Sequence, residues 1–210
     1  MTNFTPGPSQ LYFTVNDHIK AACREGIPSL SHRSKAFEAI YQHAETGLKT
    51  LLNIPDGFTM VFTASATEIW ERSIQNLVRS SATHLVNGAF SKRYYEIAKQ
   101  LQKQAVAINA VEGSAHTQTV FDPQTELIAI THNETSTGVN HTQDFIHQVR
   151  ASNPAALIAI DAVSSLPYPS FNYHDIDSIF FSVQKGFGLP AGLGVWLVNE
   201  RCVARAEQLQ

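Results

Sequence analysis

The chain has few of the features that mark disulfide-rich, metal-binding, nucleic-acid-binding or membrane proteins. It has two cysteines in 210 residues, Cys23 and Cys202, which form no Cys-x-x-Cys pair, so neither a disulfide framework nor a structural zinc site is expected. A net charge of −3 gives no electrostatic attraction to nucleic acid or to anionic membranes. No apolar run approaches the length of a membrane span. We therefore expect no metal, no nucleic-acid partner and no membrane partner.

The N-terminal sequence also lacks a basic segment followed by an apolar run, which is the pattern of a secretory signal peptide. This absence predicts a cytoplasmic protein.

What the sequence does contain is an alternation of helical and strand patterns. Apolar residues recur at helical spacing over 35–52, with Ser31 or Ser34 as the candidate N-cap, and a short helix is predicted over 15–24. Several later segments, such as "LIAI" and "IFFSV", are unbroken apolar runs, which are typical of strands buried on both faces of a parallel sheet. We predict an α/β fold of three layers, α/β/α, around a mostly parallel central sheet.

Residues with chemical potential follow the predicted strands where these end. The carboxyl ends of parallel strands share one edge of the sheet, and ligands bind there. At this edge Ser65 and Glu68 form a capping box at a helix start, Phe90 offers an aromatic ring, Asp161 a carboxylate and Lys185 a lone amine. Each residue has an ordinary explanation by itself: a helix cap, a packing residue, a turn cap or a solvated lysine.

The combination of these residues indicates pyridoxal phosphate. This cofactor needs a lysine for a Schiff base with its aldehyde and a carboxylate that keeps its ring nitrogen protonated. It also needs a flat partner for the ring and a phosphate anchor, which a helix N-terminus can supply. A Rossmann nucleotide site is the rival for an alternating α/β chain, but "FTASATE", after the first predicted strand, contains no Gly-x-Gly-x-x-Gly.

Five segments in this order carry a resemblance to a known family: "FTASATE", "NGAFSKRY", "HNETSTGV", "AIDAVSS" and "SVQKGFGLPAGLGV". They resemble the class V aminotransferases, which have the fold type I architecture of pyridoxal-phosphate enzymes. Within that class, "NFTPGPSQL", "SHRS" and "THNETSTG" look most like the phosphoserine aminotransferases. The resemblance implies an N-terminal arm and short helix over 1–30 and a cofactor-binding large domain over 31–210, incomplete at its C-terminal end because the small domain is absent.

The resemblance also implies roles for single residues. Lys185 matches the Schiff-base lysine, and Asp161 matches the carboxylate at the pyridine nitrogen. Phe90 matches the aromatic residue stacked on the ring, and Thr135 matches a threonine that bonds near the ring oxygen. The remaining matches are Ala66, Thr67 and Gln184 at the phosphate cup, and His32 and Arg33 at the acidic end of the substrate.

The implied function is transfer of an amino group from an amino acid, such as glutamate or a related acidic or serine-derived one, to a 2-oxo acid in a homodimer. One departure bears on the substrate. Glu68 stands where phosphoserine aminotransferases have an arginine that helps to bind the substrate phosphate. A carboxylate at that position is expected to repel a phosphorylated substrate.

Two alternatives stay open. One is another class V reaction of the desulfurase or lyase type, but desulfuration wants a mobile cysteine, and neither Cys23 nor Cys202 lies in a plausible loop. The other is a truncated, non-catalytic module that binds pyridoxal phosphate or dimerises.

The glycines beside Lys185, Gly186 and Gly188, are expected to let the backbone approach a flat cofactor.

Overall fold

The computed structural model describes residue 5, residues 7–111 and residues 113–209. The first four residues and residue 6 of the predicted arm lie outside the described residues. The helices of the described part are Val15–Arg24 (α1), Lys35–Leu52 (α2), Ala66–Leu77 (α3), Ala89–Gln100 (α4), Gln143–Ser152 (α5) and Glu200–Leu209 (α6), with a 3-10 turn at Ile27–Ser29. The strands are Phe58–Thr63 (β1), Ser81–Val86 (β2), Gln104–Asn109 (β3), Leu127–Thr131 (β4), Asn133–Glu134 (β5), Val139–Asn140 (β6), Leu157–Asp161 (β7), Ser178–Ser182 (β8) and Gly194–Asn199 (β9).

Seven of these strands form the central sheet in the order β1-β9-β8-β7-β4-β2-β3. The pairs from β8 to β3 are all parallel, and β9 alone runs against both of its neighbours. Every residue of β4, β7 and β8 is buried, which explains why these strands are continuous apolar runs in the sequence. The predicted mostly parallel sheet is confirmed.

Helices cover both faces of the sheet and form the two outer layers. On one face, α5 and the end of α2 pack against β4, β7 and β8 in a core that includes Ile128, Ile158 and Phe181. On the other face, α3, α4 and α6 pack against the same strands through side chains such as Ile69 and Tyr94. None of the helices in the described ranges combines the length and the apolar character of a membrane span.

The predicted helices α1 and α2 agree with the structure at both ends. Ser34 is the N-cap of α2, because its Oγ accepts a hydrogen bond from the Phe37 N–H at 3.2 Å. The strand that contains the first apolar run "LIAI" ends at Thr131. From there β5 and β6 form a small hairpin, in which Asn133 pairs with Asn140.

One buried polar residue, His84 in β2, has no hydrogen-bond partner for either ring nitrogen among the described residues. Its ring lies against two tyrosines, with centroids 5.0 Å from that of Tyr94 and 5.9 Å from that of Tyr95. Burial lowers the pKa of His84 from 6.5 to about 3. The ring is therefore neutral in the folded chain between about pH 3 and pH 6.5, a range in which an exposed histidine is protonated.

Acid should weaken the fold through His84. Below about pH 6.5 the unfolded chain takes up a proton on this ring, whereas the folded chain does so only near pH 3. Within this window the free energy of unfolding falls by about 1.4 kcal/mol for each pH unit lost. We expect His84→Phe to make the pH dependence shallower by that amount, as measured by urea unfolding from about pH 7 to pH 4.5.

The matched control is His174→Phe, because His174 lies at the surface. Parallel stability profiles for the parent chain and His84→Phe would contradict the assignment.

Candidate active site

A pocket of about 150 Å³ opens at the carboxyl edge of the sheet. It is bounded by the first turn of α3, the start of α4, the β5–β6 hairpin and the ends of β7 and β8. All seven residues predicted to hold the cofactor line it: Ala66, Thr67, Phe90, Thr135, Asp161, Gln184 and Lys185. The structure therefore brings together side chains that are more than 110 positions apart in the sequence.

The loop after β8, which carries Lys185, takes its shape from the N-terminal arm. Ser9 donates from its backbone N–H to the Gln184 carbonyl at 2.8 Å and from its Oγ to the Lys185 carbonyl at 2.7 Å. The Tyr12 N–H donates to the carbonyl of Gly188. These bonds hold the main chain on both sides of the amine.

The two glycines near Lys185, Gly186 and Gly188, let this loop pack against other parts of the protein. The expectation was that they make room for a cofactor. A Cβ on Gly186 would lie 2.5 Å from the carbonyl oxygen of Leu166, and Gly188 has a φ of 61° close to the backbone of Tyr12. Neither glycine is among the residues that line the pocket. Their small size lets the loop lie against its protein neighbours.

The Lys185 amine is half-buried and lies over the ring of Phe90, with Nζ 5.1 Å from the ring centroid. Burial lowers its pKa, and the charges of Asp161 and Glu134 oppose that effect without cancelling it. A lowered pKa increases the fraction of neutral amine, which is the form that attacks a carbonyl carbon and accepts a proton.

Asp161, the last residue of β7, presents a buried carboxylate to the pocket. Its Oδ2 accepts a hydrogen bond from the Trp70 indole N–H at 2.8 Å, and its Oδ1 accepts one from the Val163 N–H at 3.0 Å. Burial raises the pKa to about 6, while these two bonds and the charge of Lys185 hold it down. The group is therefore mostly ionised at neutral pH.

The first turn of α3 forms another side of the pocket. Ser65 is the N-cap, and its Oγ accepts the Glu68 N–H at 3.1 Å, as the capping box predicts. The Ala66 N–H donates to Ser182 Oγ at 3.1 Å. Because the first N–H groups of a helix have no intrahelical partner and the dipole is positive there, this turn can receive an anion.

The structure places Glu68 outside the pocket that contains Lys185. Its carboxylate bends back to the Ala64 N–H at 2.9 Å and pairs with Arg72 at 3.5 Å, so it completes the helix cap. It lines a separate groove beside β1 and α6 and not the pocket that contains Lys185. The expected repulsion of a phosphorylated substrate stays a prediction, and in the structure this carboxylate is paired with Arg72 and does not line the pocket.

His32 and Arg33, predicted to bind the substrate, are exposed residues ahead of α2 and are not among those lining the pocket. Their role stays a prediction.

His132, at the end of β4, is buried with its ring 4.8 Å from that of Phe171, and burial lowers its pKa to about 4. It is a core residue that borders a neighbouring cavity.

Several lining residues were not assigned a cofactor-binding role from the sequence. Trp70 is the most consequential, because it bonds directly to Asp161. Helical spacing could have found it, since Trp70 lies four residues after Ala66 and therefore on the same face of α3. The others are Ser65, Thr131, Asn133, Val163, Ser164 and Ser182.

Comparison with known proteins bears on what this pocket is. The family model described as "Aminotransferase class-V" matches residues 2–210. The chain belongs to the class V aminotransferases. The predicted family is thereby confirmed.

Similar class V proteins include phosphoserine aminotransferases. Over 187 residues the chain is 33% identical to the phosphoserine aminotransferase of Rhodococcus opacus (strain B4). The aligned region covers 86% of this chain and 48% of that protein. It is 50% identical to the crystal structure of a phosphoserine aminotransferase from Cytophaga hutchinsonii ATCC 33406, with a TM-score of 0.96 over 99% of this chain and 58% of that one. The aspartate aminotransferase of subgroup IV from Thermus thermophilus is 25% identical, with a TM-score of 0.79 over 98% of this chain and 59% of that one. The chain thus spans about half the length of the curated relatives it matches.

The donor set of the pocket fits the cofactor that the sequence predicts for a class V aminotransferase. A half-buried amine, a buried carboxylate, an aromatic ring next to the amine and a helix N-terminus face one cavity. These groups could hold the aldehyde, the ring nitrogen, the ring face and the phosphate of pyridoxal phosphate, respectively. Among the described residues, no group of three or more histidine, cysteine, aspartate or glutamate side chains is arranged to hold a metal ion.

Trp70→Phe should raise the pKa of Asp161. The indole N–H stabilises the ionised carboxylate, so its loss favours the protonated form. One hydrogen bond to a charged group corresponds to a shift of about one to two pH units. The shift can be measured by ¹³C NMR titration of aspartate carboxyl carbons, with the Asp161 signal assigned by Asp161→Asn.

Trp196→Phe is the matched control, since its indole N–H donates to the neutral hydroxyl of Ser178 at 2.8 Å. An unchanged Asp161 titration in Trp70→Phe would show that the indole does not stabilise the anion.

Proposed function

We propose that the chain is the large-domain part of a pyridoxal-phosphate-dependent aminotransferase that resembles phosphoserine aminotransferase. One observation carries this proposal: the amine of Lys185 and the carboxylate of Asp161 line the same pocket, beside an aromatic ring and a helix N-terminus. The division into an arm over 1–30 and a large domain over 31–210 stays a prediction, as does the cytoplasmic location.

The cofactor, when bound, supplies an aldehyde that captures amino groups and a ring that accepts electrons from the substrate α-carbon. Lys185 would hold it through Nζ. When free, the same amine would take the proton from the α-carbon of the substrate, because its lowered pKa favours the neutral form. Asp161, mostly ionised at neutral pH, would face the ring nitrogen and keep it protonated.

The amino donor is expected to be glutamate or a related acidic or serine-derived amino acid, and the acceptor is a 2-oxo acid. The relatives named as phosphoserine aminotransferases favour a phosphorylated substrate in one half-reaction. The Glu68 carboxylate accepts the Ala64 N–H and lies outside the pocket, which supports such a substrate. His32 and Arg33 are the candidate residues for the acidic end, and their exposed position ahead of α2 suits a role across a dimer interface.

A homodimer is supported by an apolar surface on α2. This helix has 18 residues, and only Leu52 is buried. Phe37, Ile40 and Leu51 are exposed by 40%, 39% and 58%, and helical spacing puts them on one face. Exposed apolar side chains that share a face are typical of an interaction surface, and a second copy of the chain would cover it.

The alternatives are less well supported. Desulfuration needs a reactive thiolate, but Cys202 is buried, and burial raises its pKa to about 12. Cys23 is an exposed residue of α1 rather than of a loop at the pocket. A non-catalytic cofactor-binding module stays open, and the experiment below separates it from a transaminase.

Lys185→Ala should abolish covalent capture of pyridoxal phosphate. Borohydride reduction after incubation with the cofactor attaches the cofactor irreversibly to the amine that binds it. Peptide mass spectrometry then identifies the labelled lysine. The control is Lys99→Ala, because Lys99 also lies over an aromatic ring, with Nζ 5.6 Å from the Tyr95 centroid. We expect labelling on Lys185 in the parent and in Lys99→Ala, and none in Lys185→Ala.

Labelling of another lysine at the parent level in Lys185→Ala would refute the assignment. Adding glutamate to the loaded chain tests the reaction class. Loss of the visible absorbance of the cofactor supports a transaminase, whereas an absorbance that no amino acid changes supports the non-catalytic module.

Placing charges on the exposed face of α2 should separate the dimer. We expect the parent chain to sediment as a dimer and Phe37→Glu/Leu51→Glu to sediment as a monomer, because two carboxylates would be buried without partners. The control Val120→Glu changes an apolar residue that is 63% exposed outside α2 and should stay dimeric. A monomeric parent, or a double variant that remains dimeric, would exclude this interface.

A further inference from the structure

A second carboxylate, Glu134 in the β5–β6 hairpin, lies behind the pocket and is completely buried. Its Oε2 accepts hydrogen bonds from the Ser91 N–H at 2.9 Å and from Ser91 Oγ at 2.8 Å. Its Oε1 accepts from Ser136 Oγ at 2.6 Å and from the Phe90 N–H at 3.4 Å. The carboxylate therefore binds the first turn of α4, the turn that contains Phe90.

This arrangement puts an anion of the protein itself at the N-terminus of α4. A helix N-terminus attracts negative charge, and a buried carboxylate is stable only when its oxygens are hydrogen-bonded. Burial by itself would raise the pKa of Glu134, but the hydrogen bonds from Ser136, Ser91 and Phe90 outweigh burial and lower it. The side chain is therefore ionised in the fold.

The close approach of the hairpin to α4 depends on Gly88, which precedes the helix. A Cβ at Gly88 would lie 2.4 Å from Glu134 Cγ and 2.4 Å from Ser136 Oγ. The Ala89 N–H also donates to Ser136 Oγ, at 2.8 Å. Three successive N–H groups, those of Ala89, Phe90 and Ser91, thus bind the Glu134–Ser136 pair.

We propose that Glu134 is a positioning residue: by binding the first turn of α4, its carboxylate fixes the ring of Phe90 over the amine of Lys185. The part of the proposal that concerns the cofactor rests on the proposed function, in which that ring stacks on pyridoxal phosphate. The structural part concerns Phe90 and Lys185 alone, whose ring centroid and Nζ are 5.1 Å apart.

The two helix N-termini at this edge of the sheet differ in what they contact. The first turn of α4 is bound to Glu134, whereas the first turn of α3 borders the pocket through Ser65, Ala66 and Thr67. An external anion is therefore excluded from the first turn of α4.

The test follows the Phe90 ring directly in the cofactor-free chain. The chain has 12 phenylalanines, so labelling with 4-fluorophenylalanine gives a small set of ¹⁹F resonances, and Phe90→Leu identifies the one from Phe90. In Glu134→Gln we expect the Phe90 resonance to shift or broaden while most others keep their positions. A general loss of structure would move most resonances together.

The matched control is Glu126→Gln. Glu126 Oε2 also accepts two backbone N–H groups, from Arg79 at 2.7 Å and Ser80 at 2.8 Å, but it lies away from the pocket. We expect this variant to leave the Phe90 resonance unchanged. If Glu134→Gln does not fold, Ser136→Ala removes the 2.6 Å bond to Oε1 and should shift the same resonance by less.

A Phe90 resonance that stays in place in the folded Glu134→Gln or Ser136→Ala chain would overturn the proposal. The dissociation constant of pyridoxal phosphate gives a second readout, and we expect it to rise about three- to tenfold in Glu134→Gln, as the loss of one well-placed aromatic contact implies. If the parent chain binds no cofactor, the proposed function fails, but the ¹⁹F result still decides the role of Glu134.

Discussion

The parallel pairing of the central strands is the constraint on which the site depends. Thr131 of β4 pairs with Asp161 of β7, and Asp161 pairs with Phe180 of β8. Because these strands are buried on both faces, their N–H and C=O groups must bond to each other, and a slip of one residue would turn every side chain to the opposite face. This register brings the ends of the strands to a common edge, and it sets Asp161 beside the loop that begins after β8.

Charge at this edge is balanced among three groups that water reaches poorly. Asp161 and Glu134 are buried carboxylates, and Lys185 is a half-buried amine. Burial lowers the pKa of this amine, and the two carboxylates oppose part of that effect. Each carboxylate also has N–H donors of its own, Trp70 and Val163 for Asp161, and the first turn of α4 for Glu134. The Lys185 charge is thus one of several contributions that keep the Asp161 carboxylate ionised, and burial keeps the pKa of the amine lowered in spite of both carboxylates.

The helices, the strands and the order of the pocket residues could be predicted from the sequence, because periodicity and helix caps are local signals. Asp161 and Lys185 follow from the rule that the carboxyl ends of parallel strands meet. The contacts of Trp70 with Asp161 and of Ser9 with Lys185 could not be predicted, since no local pattern encodes a bond between residues 91 or 176 positions apart. The direction of the Glu68 carboxylate was also out of reach, because a capping box and a pocket wall use the same residues.

The bonds between the arm and the loop after β8 affect the order in which the site can form. Ser9 is synthesised long before its partner Lys185, 176 positions later, and most of the central sheet is made in between. Contacts between such distant residues form late, because the loop between them costs entropy to close. During synthesis the arm therefore lacks its hydrogen-bond partners until the loop after β8 has been made. We expect the segment around the Lys185 amine to take its final conformation only after the sheet has assembled.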